Sequence, residues 1–189
     1  MKAYDLIYER NKDRKECIAL EYEGRGSKEW ETMEFITDIF SQFDKKWALL
    51  TAGNKDKFNT MTISWGGLGT LWGKPVATTY VRTSRYTHEF MDNNEYFTIS
   101  FYPEEYKSTL GVLGSKSGRD IDKMHSSGLT AKEVNGSMTF EEAEVTFVCR
   151  KLFCQRLDPK NMNPDIAKQF YEGDAEHDMY IGEVVDIIK

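Results

Sequence analysis

Cysteine, histidine and proline are all scarce in this chain, with three, three and four residues among 189. The cysteines, Cys17, Cys149 and Cys154, form no C-x-x-C pair, so neither a disulfide framework nor a zinc ribbon is expected. Cys149 and Cys154 fall in a strand-like run, where a buried thiol packing as a small hydrophobe is the expectation. The histidines, His88, His125 and His177, lie far apart, and His88-Glu89 lacks a second histidine one helical turn on, so no metal site is expected. Basic charge is also in deficit. A formal net charge of −6 disfavours nucleic acid and anionic membrane as partners, since both require a basic face. No long apolar run is present: Met1 to Arg10 alternates charge and apolarity and suits neither a signal peptide nor a membrane span, so a cytoplasmic protein is expected.

Several nucleotide and hydrolase signatures are missing as well. Gly66, Gly67, Gly69 and Gly73 miss the G-x-G-x-x-G spacing and the strand-to-helix context of a dinucleotide fold. There is no G-x-x-x-x-G-K-[ST] loop and no G-x-S-x-G elbow. Gly114-Ser-Lys-Ser-Gly118 has the wrong spacing for a phosphate loop.

What is present suits one globular domain: 40% hydrophobic, 13% aromatic and 30% charged residues. Residues 1–29 read as an N-terminal extension and 30–189 as the domain. Phe35, Ile36, Ile39, Phe40 and Phe43 fall at helical spacing. Trp47 to Thr51 and Asn59 to Trp65 read as two strands joined through Gly53-Asn-Lys-Asp-Lys57, and Gly66 to Gly69 reads as a bend. Further strands are expected over Val76–Val81, Tyr96–Tyr102, Glu144–Gln155 and Met179–Ile188. Short helices are expected over Ser84–Asn93, Glu104–Leu113, Arg119–Ser126 (closed by Gly128) and Asp165–Tyr171. Many strands, few short helices and no regular alternation give a mainly β (α+β) chain, a β-barrel with short helical insertions.

Two segments stand out chemically. Asn59-Thr-Met-Thr-Ile-Ser-Trp65 carries hydroxyls at Thr60, Thr62 and Ser64, which alternation places on one face. Arg82-Thr-Ser-Arg-Tyr-Thr87 sets two arginines and three hydroxyls at the start of a short helix, where free amides and the helix dipole favour an anion. On spacing alone, such residues are more often surface groups paired with carboxylates or water.

Five segments in order resemble the flavin reductase-like family of FMN-binding split β-barrel proteins: Trp47-Ala-Leu-Leu-Thr-Ala-Gly53, Phe58 to Trp65, Val81 to Thr87, Asn94-Glu-Tyr-Phe-Thr-Ile-Ser100 and Met179-Tyr-Ile-Gly-Glu-Val184. The resemblance implies a split-barrel homodimer with FMN at the subunit interface. It implies that Asn59, Met61, Thr62, Ile63, Ser64 and Trp65 line the flavin ring and ribityl chain. Arg82, Arg85, Tyr86 and Thr87 would hold the phosphate, with Ser115 and Lys116 from a later loop. His177 would lie near the flavin; its other reading is an exposed loop imidazole. The family further implies an oxidoreductase, of NAD(P)H-dependent flavin reductase type, with NAD(P)H as transient donor and a small molecule or protein as acceptor. A permanent FMN electron carrier and a split-barrel protein for another ligand are the alternatives. Trp72-Gly-Lys-Pro75 departs from the Asp-Pro-Pro that relatives often carry there.

Overall fold

The computed structural model describes residues 37–189, so the N-terminal extension and the first part of the expected helix, including Phe35 and Ile36, lie outside the described residues. Helical structure is present at Ile39–Ser41 and continues as a wider turn over Gln42–Lys46. Phe43 is buried there with its ring edge-on to Phe101 at 5.2 Å, whereas Phe40, placed by spacing on the same apolar face, is 84% exposed. Of the apolar residues Ile39, Phe40 and Phe43, Phe43 alone is fully buried.

Nine strands follow: β1 (Ala48–Gly53), β2 (Phe58–Ile63), β3 (Gly66–Leu71), β4 (Lys74–Arg82), β5 (Tyr96–Phe101), β6 (Ala131–Val134), β7 (Ser137–Phe140), β8 (Val145–Arg156) and β9 (His177–Ile188). Seven of them form one antiparallel sheet in the order β2-β1-β5-β8-β9-β4-β3, and β6 and β7 form a separate hairpin. Four helices are inserted: α1 (Tyr86–Asn93), α2 (Lys107–Ser115), α3 (Lys123–Ser127) and α4 (Pro164–Tyr171).

Every residue of β1 is buried, as expected of a strand covered on both faces. Leu49 packs with Leu110 and Leu113 of α2, and with Phe140 of the hairpin, in one apolar cluster. The Gly53 turn works as its residues dictate: Gly53 has a φ of 111°, and the Asn54 Oδ1 accepts the amides of Asp56 and Lys57. The hairpin is held by hydroxyls. Ser100, Thr139 and Thr146 lie within 2.7–3.0 Å of one another, and Thr98 donates to the Met138 carbonyl at 2.6 Å.

Several expectations are corrected. Gly66–Gly69 is not a bend but most of strand β3; the reversal comes at Trp72 and Gly73, whose φ values of 53° and 67° suit a tight two-residue hairpin turn. Gly66 is glycine for packing, since a Cβ there would stand 2.5 Å from the Phe43 ring. The β6–β7 hairpin was not singled out in the sequence, although Asn135-Gly136, with φ values of 38° and 79°, is its turn. The helix expected from Arg119 starts only at Lys123, because Asp122 caps it by accepting the amides of Met124 and His125. Cys149 is buried, and burial pushes its thiol upward, but Cys154 is exposed near the end of β8.

The sheet curls. β8 and β9 pair over their whole length with two register shifts, the irregularities that bend and coil long strands. At Gly182 a Cβ would stand 2.6 Å from the Phe97 ring and 2.9 Å from the Cys149 Cβ, so the interior of the curl closes directly on the β9 backbone. All seven strands of the sheet are hydrogen-bonded in series, and its two end strands, β2 and β3, do not pair with each other, so the barrel is split.

Candidate functional site

The cleft lies between β2 and the last residues of β4. Asn59 and Met61 of β2 share a cavity of about 440 Å³ with Arg82 of β4, although β2 and β4 are five steps apart in the hydrogen-bonded order. A second cavity of about 280 Å³ shares Met61, Arg82 and Arg85 with the first, so the two form one continuous groove. Their combined size is in the range of about 300–1,000 Å³ typical of small-molecule sites.

The larger cavity is basic. Arg82, Arg85, Lys116, Arg119 and Lys123 line it against Asp120 and Asp174, in a chain whose overall charge is −6. The start of α1 adds to this field, since Tyr86 and Thr87 supply first-turn amides that have no acceptor within the helix. Asn59 is fixed by donating from Nδ2 to the Thr87 hydroxyl at 2.7 Å. Gly118 faces it closely: a Cβ there would stand 2.2 Å from the Asn59 Oδ1. Lys123 forms the floor. Its ammonium is buried and donates to the carbonyls of Thr60 and Leu113, both at 2.7 Å. Burial, with Arg85 nearby, pulls it down to about 8.

The smaller cavity is aromatic. Met61, Ile63, Trp65 and Tyr80 line it with Phe170 and His177. Trp65 is 41% exposed, and its ring lies edge-on to Phe170 at 5.5 Å and 5.1 Å from His177. His177 opens β9 directly opposite Arg82, so alternation puts Tyr80, Arg82 and His177 on one face. Burial, assisted by the Arg82 charge, pulls the imidazole down to about 4, so it is neutral at pH 7. Its Nδ1 lies 3.2 Å from the Tyr171 hydroxyl. Behind it, Asp178 is held by His88 at 2.7 Å and by Arg156; these bonds outweigh burial and keep the carboxyl below its ordinary range.

The structure thus brings together Asn59, Met61, Thr62, Ile63, Ser64, Trp65, Arg82, Arg85, Tyr86, Thr87, Lys116 and His177 around one groove. Ser115 is not among the lining residues; it ends α2, with its hydroxyl donating to the Val112 carbonyl. The hydroxyl face of β2 also differs from expectation. Thr60 bonds to Thr51 and the Leu50 carbonyl, and Thr62 donates to the Leu110 carbonyl, so these hydroxyls serve the fold. Arg82 divides its guanidinium between the carbonyls of Ala175 (2.6 Å) and Phe170 (3.0 Å) and the Asp174 carboxylate (3.0 Å). Arg85, in contrast, makes one long bond of 3.4 Å to the Gly114 carbonyl and stands exposed at the basic end. His177 is buried in a strand, not exposed in a loop.

Sequence reasoning missed Arg119, Lys123, Phe170 and Tyr171. Arg119 lies 4.8 Å over the Tyr86 ring and pairs with Glu89. Only the polar run from Gly114 to Asp122 hinted at a second basic loop; nothing local distinguishes Lys123 from a surface lysine. Among the described residues no cluster of histidine, cysteine or carboxylate could hold a metal ion, and no helix is long and apolar enough to cross a membrane.

The groove fits a ligand with an anionic end and a flat ring. The basic cavity has buried and exposed cations for a phosphate, and the aromatic cavity has apolar walls and a neutral imidazole. Comparison with solved structures places the fold. Flavoredoxin from Methanosarcina acetivorans is 20% identical, with a TM-score of 0.59 over 76% of this chain and 68% of that one. The FMN-binding protein from Thermus thermophilus, solved with bound 1-cyclohex-2-enone, is 20% identical with a TM-score of 0.61 over 89% and 79%. Flavoredoxin of Desulfovibrio vulgaris is 21% identical with a TM-score of 0.58 over 75% and 68%. No curated protein is significantly similar in sequence. The flavin reductase like domain model matches residues 40–188, nearly all of the described chain, and the protein therefore belongs to the flavin reductase-like family of split β-barrels.

Proposed function

We propose that this protein binds FMN in the groove and works as an FMN-dependent oxidoreductase of the NAD(P)H:flavin reductase type. The observation that carries the proposal is the sequence of environments along one groove, basic at α1 and α3 and aromatic at Trp65 and His177. Bound there, FMN would supply the hydride and electron transfer, and the chain would need no nucleophile of its own. Arg85, Lys116 and Lys123 would hold the phosphate with the first-turn amides of α1. Met61, Ile63 and Trp65 would bear on the ring and exclude water. His177, neutral at pH 7, would offer a ring nitrogen as a dipole without placing a full charge beside the flavin. A homodimer that closes the open side of the groove, residence in the cytoplasm, and a small-molecule or protein acceptor belong to the same proposal.

A second reading, a permanent FMN carrier, draws on the flavoredoxins among the structural relatives. One experiment separates them. The purified protein is titrated with FMN, dialysed, and scanned in the visible range before and after NADH and NADPH. Bleaching by either nucleotide supports the reductase; retained flavin that neither bleaches supports the carrier. A folded protein that binds no FMN overturns both.

A further inference from the structure

The β8–β9 connection is built unlike the rest of the chain. Its two ends are pinned to the sheet by backbone bonds, Leu157 N–H to the His177 carbonyl at 2.9 Å and Thr83 N–H to the Glu176 carbonyl at 3.0 Å. Between those pins lies α4, which has no buried residue and packs substantially, among the elements, only on the turn before it, Pro159–Asn161. A helix of eight residues is not stable on its own in water, so its position depends on the contacts it makes.

Those contacts converge on three residues, all in the walls of the groove. Phe170 meets Trp65, Tyr171 meets His177 through its ring at 5.6 Å and its hydroxyl at 3.2 Å, and Arg82 takes the carbonyls of Phe170 and Ala175 and the carboxylate of Asp174. The Arg82 guanidinium also lies 5.7 Å over the Tyr171 ring. No such contact reaches the apolar core around Leu49. Gly173, with a φ of 80°, follows the helix and supplies a pivot, while Asn163 caps the helix start by accepting the Asp165 amide, so the helix can move as a unit.

We propose that residues 158–175 form a lid over the aromatic end of the groove, latched by Arg82, and that its opening governs passage of flat ring ligands into and out of that end. Arg82 makes the latch's charge-assisted bonds and lines both cavities, so an anion arriving at the basic end meets the same arginine that holds the lid. The proposal rests on the reading that the aromatic end receives a flavin ring.

The test compares the full-length protein with Arg82→Gln and Phe170→Ala, the second chosen because it lies outside the sheet. Hydrogen exchange by mass spectrometry is expected to show amides of residues 159–175 exchanging about tenfold faster in both variants, with β1 and β5 unchanged. If Arg82→Gln loosens β1 and β5 as well, Phe170→Ala decides alone. Unchanged exchange over 159–175 overturns the latch. Stopped-flow mixing with FMN then reads gating: the association rate should rise in Phe170→Ala, an effect that loss of a ring contact alone would not produce. Faster exchange with unaltered FMN rates overturns the lid. Absence of FMN binding in the unmodified protein overturns the functional reading, while the exchange result still judges the latch.

Discussion

Lowering the pH should expose His177 as a stability switch. Its imidazole is held down to about 4, from an ordinary 6.5, chiefly by burial and then by the Arg82 charge. Between these values the unfolded chain binds a proton that the folded chain refuses. The contribution of His177 is therefore fully present above pH 6.5, shrinks as pH falls, and is gone below about pH 4. One proton per molecule sets a maximal slope of about 1.4 kcal/mol per pH unit, and the full window amounts to about 3 kcal/mol as an upper bound. The assay is urea unfolding at fixed pH values from 4 to 8, for the native sequence and for His177→Gln. Every other residue is common to the two proteins, so the difference isolates His177. Asp178 and Glu183, held low by their basic partners, lose their contributions only below the ordinary carboxylate range. The native protein should lose stability relative to His177→Gln as pH falls from 6.5 towards 4. A difference that stays flat, or an imidazole resonance that titrates near 6.5, would refute the buried neutral histidine.

The remaining expectations concern the groove and its support. Arg85→Ala should weaken FMN binding by about tenfold or more by calorimetry, as expected for loss of one charge-assisted contact. FMN affinity should fall as pH rises from 7 to 9.5, because Lys123 loses its proton near 8, and Lys123→Met should abolish that part of the pH dependence. Gly118→Ala drives a methyl group into the buried Asn59 and should lower both FMN affinity and the unfolding midpoint. Gly182→Ala drives a Cβ into Phe97 and Cys149 and should cost about 1–3 kcal/mol in urea unfolding.

The strands were legible because their signals are local. Alternation and β-branched residues mark β4, β5 and β9, and the Asn54 turn carries its own hydrogen-bonding side chain. Gly66–Gly69 misled because glycine's absence of a side chain answers two different needs, a bend or close packing, and the Phe43 ring that decides between them is more than twenty residues away. The site divides in the same way. Asn59 to Trp65 and Arg82 to Thr87 are contiguous and could be read together, whereas Lys123 gains its character only from the carbonyls of Thr60 and Leu113. Arg82 shows the limit most sharply: residue type and position suggested an anion ligand, but its geometry is set by the carbonyls of Phe170 and Ala175, far downstream in the chain.

The unpaired junction between the two margins of the curled sheet carries a mechanical consequence. Asn59 and Met61 stand on the end strand β2 and Arg82 at the tip of β4, which does not pair with β2, so a molecule lodged between them spans a seam that no backbone ladder crosses. Such a guest acts as a rivet, and its occupancy adds to the cohesion of the shell by RT ln(1 + [L]/Kd), about 2.7 kcal/mol at a hundredfold excess over Kd. Emptying the seam should loosen β2 and β4 before the interior strands β1 and β5.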